Sequence, residues 1–169
     1  MENPNKDAET TRLELANRVL FRLYQCANML HKTGSRAVET EGLTTQRWAV
    51  LGALSRPEAA NGMSVGDLAR YLMVSRQNLA AVVSRMEQAG HVISAPDGND
   101  RRSRLVRMSD TGRAVWAQQA LPKIAAYYEQ ALAGFSVSDM AHTLHYLLKM
   151  LDNMQALDRG DPADEPSAE

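Results

Sequence analysis

A single cysteine in 169 residues, Cys26, excludes an internal disulfide framework, so the fold has to be held by a core or by a partner. No run of about twenty apolar residues occurs, which excludes a membrane-spanning helix, and no membrane partner is expected. The opening Met1-Glu2-Asn3-Pro4-Asn5-Lys6-Asp7 lacks a basic start followed by an apolar stretch, so no secretory signal is expected and the cytoplasm is the expected compartment. Catalytic signatures are missing as well: there is no phosphate-binding loop, dinucleotide fingerprint or nucleophile elbow. His31, His91, His142 and His145 do not form a metal-binding pattern, although His142 and His145 fall three apart on one helix face. The chain is therefore not expected to be an enzyme or to need a metal or cofactor.

Net charge is also small, at -1, but it is unevenly placed. Between residues 64 and 113 eight arginines stand against five acids, a local charge of +3. From Asp158 to Glu169 one arginine stands against five acids, and this Pro-containing stretch reads as a disordered acidic tail. Positive charge is thus gathered where a phosphate backbone would lie.

What is present, first, is a repeated way of starting helices. Thr44, Ser64, Ser75 and Ser136 each follow an apolar residue and have another four positions on: Leu43 and Trp48, Met63 and Leu68, Val74 and Leu79, Phe135 and Met140. A capping hydroxyl inside a hydrophobic staple predicts helix starts near 45, 65, 76 and 137, and Ser64 with Asp67 and Ser136 with Asp139 resemble capping boxes. Pro57, the run Ala59-Ala60-Asn61-Gly62, Gly90 and Gly134 supply the stops.

The segment from 64 to 112 then reads as two short helices joined by a tight turn and followed by a basic hairpin. In the helix opened by Ser75, Leu79, Val82, Val83 and Met86 form an inward stripe, leaving Arg76, Gln77, Ala80, Ala81, Ser84 and Arg85 outward. Arginine reads guanine bidentately, glutamine reads adenine, and small alanines allow close approach or touch a thymine methyl. Ser75, Asn78 and Ser84 suit phosphate or sugar contacts. In the hairpin, Val92 and Ile93 lead to a Pro-Asp-Gly-Asn turn and Leu105 and Val106 lead back, with Asp100 to Arg104 near the tip. Arginines on a narrow ribbon suit a minor groove, while Arg101, Arg104 and Arg107 equally suit phosphates or solvent. An ordinary solvated helix face and a charged edge that prevents aggregation are the plainer readings of the same residues.

The run Asp100-Arg101-Arg102-Ser103-Arg104-Leu105-Val106-Arg107-Met108-Ser109-Asp110-Thr111-Gly112 resembles the wing signature of the MarR family of bacterial transcription regulators. That signature is Asp, any residue, Arg, an alternating apolar strand, a Thr or Ser, and Gly three residues later. Leu43-Thr44-Thr45-Gln46-Arg47-Trp48-Ala49-Val50-Leu51 looks like the opening of the family's second helix, and Arg85-Met86-Glu87-Gln88-Ala89-Gly90-His91-Val92-Ile93 is similar to its recognition-helix ending. Ser109 replaces the commoner Thr, with equal capping power. Met73 sits where many such turns carry Gly, which suits the fold if its backbone keeps a negative φ.

The resemblance implies a mainly α fold, a winged helix-turn-helix with a small β-hairpin wing plus a helical dimerisation lobe. Residues 1–9 would be a flexible start and 10–157 one domain, with 10–43 and 110–157 as dimerisation helices, 44–109 as the DNA-binding lobe and 158–169 as the tail. It implies a homodimeric, sequence-specific regulator of double-stranded DNA: a repressor that leaves an inverted-repeat operator when a small aromatic or phenolic acid binds. Arg102 would enter the minor groove and Asp100 would orient the wing.

Long apolar stripes agree with a dimer. Leu13, Ala16, Leu20, Leu23, Ala27 and Leu30 recur at three- and four-residue steps, as do Val137, Met140, Leu144, Leu147, Leu151 and Met154. An intramolecular bundle is the alternative cover. For the effector, Arg18, Arg22 and His31 on the first helix and Arg47 and Trp48 on the next offer a guanidinium for a carboxylate and a wall for a ring. The plainer reading, which comes first because no motif fixes these positions, is a surface or inter-subunit salt bridge, an exposed histidine and a core tryptophan. Cys26, four residues after Arg22, offers a redox-sensing alternative, and a protein-interaction scaffold without nucleic acid is the third.

Overall fold

A computed structural model describes residues 4–96 and 104–159. The chain runs through α1 (Pro4–Ala37), α2 (Thr45–Leu54), β1 (Met63–Ser64), α3 (Val65–Tyr71), α4 (Arg76–Gln88), β2 (Val92–Pro96), β3 (Arg104–Met108), α5 (Asp110–Ala114), α6 (Leu121–Ala131) and α7 (Val137–Arg159). A π-helical turn, Val115–Ala120, joins α5 to α6. The fold is the expected mainly α winged helix-turn-helix with a small antiparallel sheet. Among the described residues, no helix is long and apolar enough to cross a membrane.

Four hydroxyl caps set the starts of α2, α3, α4 and α7. Thr44 Oγ1 accepts from the Arg47 amide at 3.3 Å, Ser64 Oγ from Asp67 at 3.0 Å, Ser75 Oγ from Asn78 at 3.2 Å and Ser136 Oγ from Asp139 at 3.1 Å. Each satisfies an amide that has no partner within its own helix, which stabilises a helix end by about 1 kcal/mol. At Ser136 the box closes both ways, since the Ser136 amide donates to the Asp139 carboxylate at 2.9 Å. Hydrogen bonds from Ser136 accordingly hold Asp139 below the ordinary carboxylate range.

Two bodies follow, one through Tyr128 and one from Glu129 onward. In the first, Leu43, Leu51, Leu68, Met86, Val92 and Val106 are fully buried, bringing α2, α3, α4 and the sheet onto one core. Each such side chain contributes about 1.5 to 3 kcal/mol of transfer free energy. Trp48 packs in this body, edge-on to Tyr127 with centroids 6.0 Å apart and tilted against Tyr128 at 5.8 Å. In the second body, α7 has no buried residue along its 23 residues.

The sheet has the order β1-β3-β2, all antiparallel. Val92 pairs with Met108 and Pro96 with Arg104, the hairpin read from the apolar runs. β1 is an addition: Met63 pairs with Val106 and Ser64 with Leu105, so Ser64 both closes a strand and caps α3.

α1 starts at Pro4, where proline's fixed φ favours the first helical position. One expectation is corrected: Met73 does not keep a negative φ but sits at +54°, in the left-handed region. Its amide donates to Arg70 O at 3.3 Å and the Val74 amide reaches back to Ala69 O at 3.1 Å, so closure of the turn into α4 holds the backbone there. The strain is about 1 to 2 kcal/mol.

Candidate nucleic-acid interface

The faces of α4 divide as the helical period requires. Leu79, Val82, Val83 and Met86 are buried, whereas Arg76, Gln77, Asn78, Ala80, Ala81, Ser84 and Arg85 are exposed. Burial of the aliphatic stripe fixes the rotation of the helix and thereby aims its polar face. Ser75, also exposed, uses its oxygen as the cap, so its hydroxyl proton is what remains for a phosphate. Among the described residues, neither Arg76 nor Arg85 forms an ion pair.

Other arginines nearby are engaged. Arg70 pairs with Asp67 at 2.8 Å, and Arg113 pairs with Asp110 while also donating to Met108 O at 2.9 Å. Hydrogen bonds from Ser64 and then Arg70 lower the pKa of Asp67. Arg104 donates to Ser94 O at 2.9 Å, across the hairpin, and Arg107 to Asn61 O at 2.8 Å, in the segment that leads into β1. Asp100, Arg101 and Arg102 lie outside the described residues.

The wing is bolted to the end of α4 at one point. The Ser109 amide donates to His91 O at 3.1 Å, its hydroxyl donates to Gly90 O at 2.5 Å, and its oxygen caps α5 by accepting from the Gly112 amide at 2.8 Å. A Cβ on Gly112 would stand 1.9 Å from His91 O. The hydroxyl and the glycine three residues later in the wing motif therefore have a mechanical reason: one ties strand to recognition helix and the other lets the two backbones meet. His91 itself is buried, its Nδ1 has no hydrogen-bond partner among the described residues, and burial, helped by the nearby Arg47 charge, lowers its pKa from 6.5.

Of the five effector candidates, His31 and Arg47 come together on one cavity wall, joined by Arg85 of α4. Arg18 and Arg22 are exposed on α1 and are not on that wall, and Arg22 donates to Gln25 at 2.7 Å. Trp48 is in the core against the two tyrosines. Cys26 is an exposed free thiol on α1. Sequence reasoning missed that Arg85 faces both outward and onto the cavity, and its placement at the end of an inward stripe, next to Met86, was the available signal.

The MarR family profile matches residues 41–103. A transcriptional activatory protein, BadR, of Rhodopseudomonas palustris is 69% identical over 154 residues, covering 91% of this chain and 88% of that one. The homoprotocatechuate degradative operon repressor of Escherichia coli is 28% identical over 65% of this chain and 72% of its own. The repressor CouR, solved on a 23-mer DNA duplex, superposes with a TM-score of 0.67 at 24% identity, covering 82% of this chain and 95% of that one.

Proposed function

The chain belongs to the MarR family of transcriptional regulators, and from that premise we propose that it grips duplex DNA as a homodimer and answers to a small aromatic acid. α4 lies in the major groove, where Arg76, Gln77 and Arg85 read base edges and Ala80 and Ala81 permit close approach. Ser75, Asn78 and Ser84 hold phosphates, Arg101 and Arg104 flank them, and Arg102, set by Asp100, enters the minor groove. The observation that carries this reading is the exposed face of α4, whose two arginines have no ion pair among the described residues.

A second copy supplies the missing cover. Leu144, Leu148 and Leu157 of α7 are 58%, 50% and 70% exposed in the single chain, and Leu13 and Leu20 of α1 are 72% and 49% exposed. Apolar faces of that extent are characteristic of an interface. Two copies about a two-fold axis place two recognition helices on half-sites roughly 10 base pairs apart. A ligand that prefers one angle between the copies then sets DNA affinity.

The relative named as activatory, at 69% identity, favours activation as the output at the target promoter. Repression relieved by the effector is the second reading, favoured by the relative that represses a homoprotocatechuate degradative operon; that relative also points to an aromatic acid. A footprint of the purified chain on its own upstream DNA, repeated with a panel of aromatic acids, tests the proposal. Two protected half-sites one turn apart, altered by an acid, are expected; an unprotected duplex overturns it. A reporter in cells lacking the gene separates the outputs, expression falling for an activator and rising for a repressor.

A further inference from the structure

Arg107 stands on the exposed face of the three-stranded sheet. Ile93 of β2 is opposite it on one side. On the other, Met63 faces Val106 and Ser64 faces Leu105, so the next position along brings Gly62 opposite Arg107. The Arg107 Nε donates to Asn61 O at 2.8 Å, and among the described residues no carboxylate pairs with its guanidinium. Gly62 sits at φ +90°, and a Cβ there would stand 2.7 Å from Arg107 Cγ and 2.9 Å from Val106 O. The arginine therefore lies across the glycine, in space that any other residue would fill with its own side chain.

What this bond spans matters more than its strength. Backbone pairing joins β1 to β3 over two residues, Met63 with Val106 and Ser64 with Leu105. Ser64 then caps α3 by accepting from the Asp67 amide. From β3 the path thus runs through Asn61 and Gly62 into β1 and the first helix of the helix-turn-helix. Ser109 makes the other attachment, to Gly90 O and His91 O at the end of α4. The hairpin is thereby mounted at two points, one on each helix of the motif. A ribbon held at one point pivots, whereas a binding group has to be held to within about 0.5 Å and 10–20° by its supports.

We propose that Arg107 is a positioning residue for DNA reading: latched to Asn61 O across Gly62, it fixes the angle at which the wing meets the minor groove and does not itself touch DNA. The proposal rests on the reading that puts the wing in that groove. Lysine is not an adequate replacement. It keeps the charge, but a methylene carbon takes the place of Nε, so the donor opposite Asn61 O is lost. An arginine that merely met a phosphate would behave differently, because a lysine ammonium serves a phosphate as a point charge.

Paired footprints of the full chain on its own upstream duplex test this. Hydroxyl radicals attack the sugars from the minor groove, and dimethyl sulfate methylates guanine N7 in the major groove. Arg107→Lys should lose the minor-groove protection given by the wing and keep the major-groove protection given by α4, with affinity by anisotropy about tenfold weaker. Gly62→Ala, which leaves every charge in place, should show the same split. A role in stability alone would leave both protections unchanged below the melting temperature. Should Gly62→Ala fail to fold, Arg107→Lys, at an exposed strand position, carries the test. Minor-groove protection retained by Arg107→Lys, or affinity equal to the wild type, overturns the proposal and leaves the wing reading intact. Loss of both protections together at saturating protein also overturns it. A wild type with no minor-groove protection overturns the wing reading itself, and the proposal with it.

Discussion

Replacing Gly112 by alanine should unfasten the wing from the recognition helix. The added Cβ would stand 1.9 Å from His91 O and 2.8 Å from the carbonyl carbon. An ordinary carbon–oxygen contact is roughly 3.3 to 3.6 Å, so the two backbones must part by more than about 1 Å. That movement breaks the bonds from Ser109 to His91 O and Gly90 O, now 3.1 and 2.5 Å. Losing two hydrogen bonds costs about 1 kcal/mol each, and overpacking adds about 1 to 3 kcal/mol. Alanine's better helix propensity returns about 1 kcal/mol, leaving a net loss of about 2 to 4 kcal/mol. For a chain of this size the melting temperature should fall by about 5 to 15 °C. Gly66→Ala in α3 is the control, because its Cβ meets nothing nearer than Ser64 Oγ at 3.7 Å. Thermal melts followed by circular dichroism should move in opposite directions for the two variants. A Gly112→Ala protein that melts with the wild type would refute the close-approach argument.

Arg102→Ala should weaken operator binding by about 1 to 3 kcal/mol at fixed salt, and an unchanged anisotropy titration would remove the wing from the mechanism. Burial keeps the folded pKa of His91 below its unfolded 6.5, so the unfolded chain takes up the proton first as pH falls. Its contribution to stability is therefore complete above pH 6.5 and declines below it, and His91→Phe should flatten urea-unfolding stability between pH 6.5 and 5. Asp67 and Asp139, with lowered pKa values, act in a separate window, losing stability as pH falls below about 4. Met73→Gly removes left-handed strain of about 1 to 2 kcal/mol and adds unfolded-state entropy of about 0.5 to 1 kcal/mol. A net gain of about 0.5 to 1 kcal/mol should raise the urea midpoint, and a lower midpoint would mean that Met73's side-chain contacts outweigh the strain.

The helix starts and the two faces of α4 are legible in the chain because they depend on neighbours a few residues away: a hydroxyl, a staple and the spacing of Leu79, Val82, Val83 and Met86. The hairpin is legible for the same reason. What is not legible depends on distant partners. Two-residue β1 is too short for alternation to announce it, and its pairing with β3 is a tertiary fact. The positive φ of Met73 is imposed by closure of the turn, against its own preference. Trp48 beside Arg47 reads equally as a ligand wall or a core residue until Tyr127 and Tyr128 are placed against it. The cavity at Arg47 draws on α1, the entry to α2 and α4, and no motif spans those three.

The most direct test of the account is the stoichiometry of the purified chain on its own upstream duplex, measured by sedimentation across a series of salt concentrations. Two chains per duplex are predicted, with log affinity falling against log salt by about 0.9 for each phosphate neutralised. A single chain per duplex, or binding that salt leaves unchanged, would contradict the paired grip of the phosphate backbone on which the account rests.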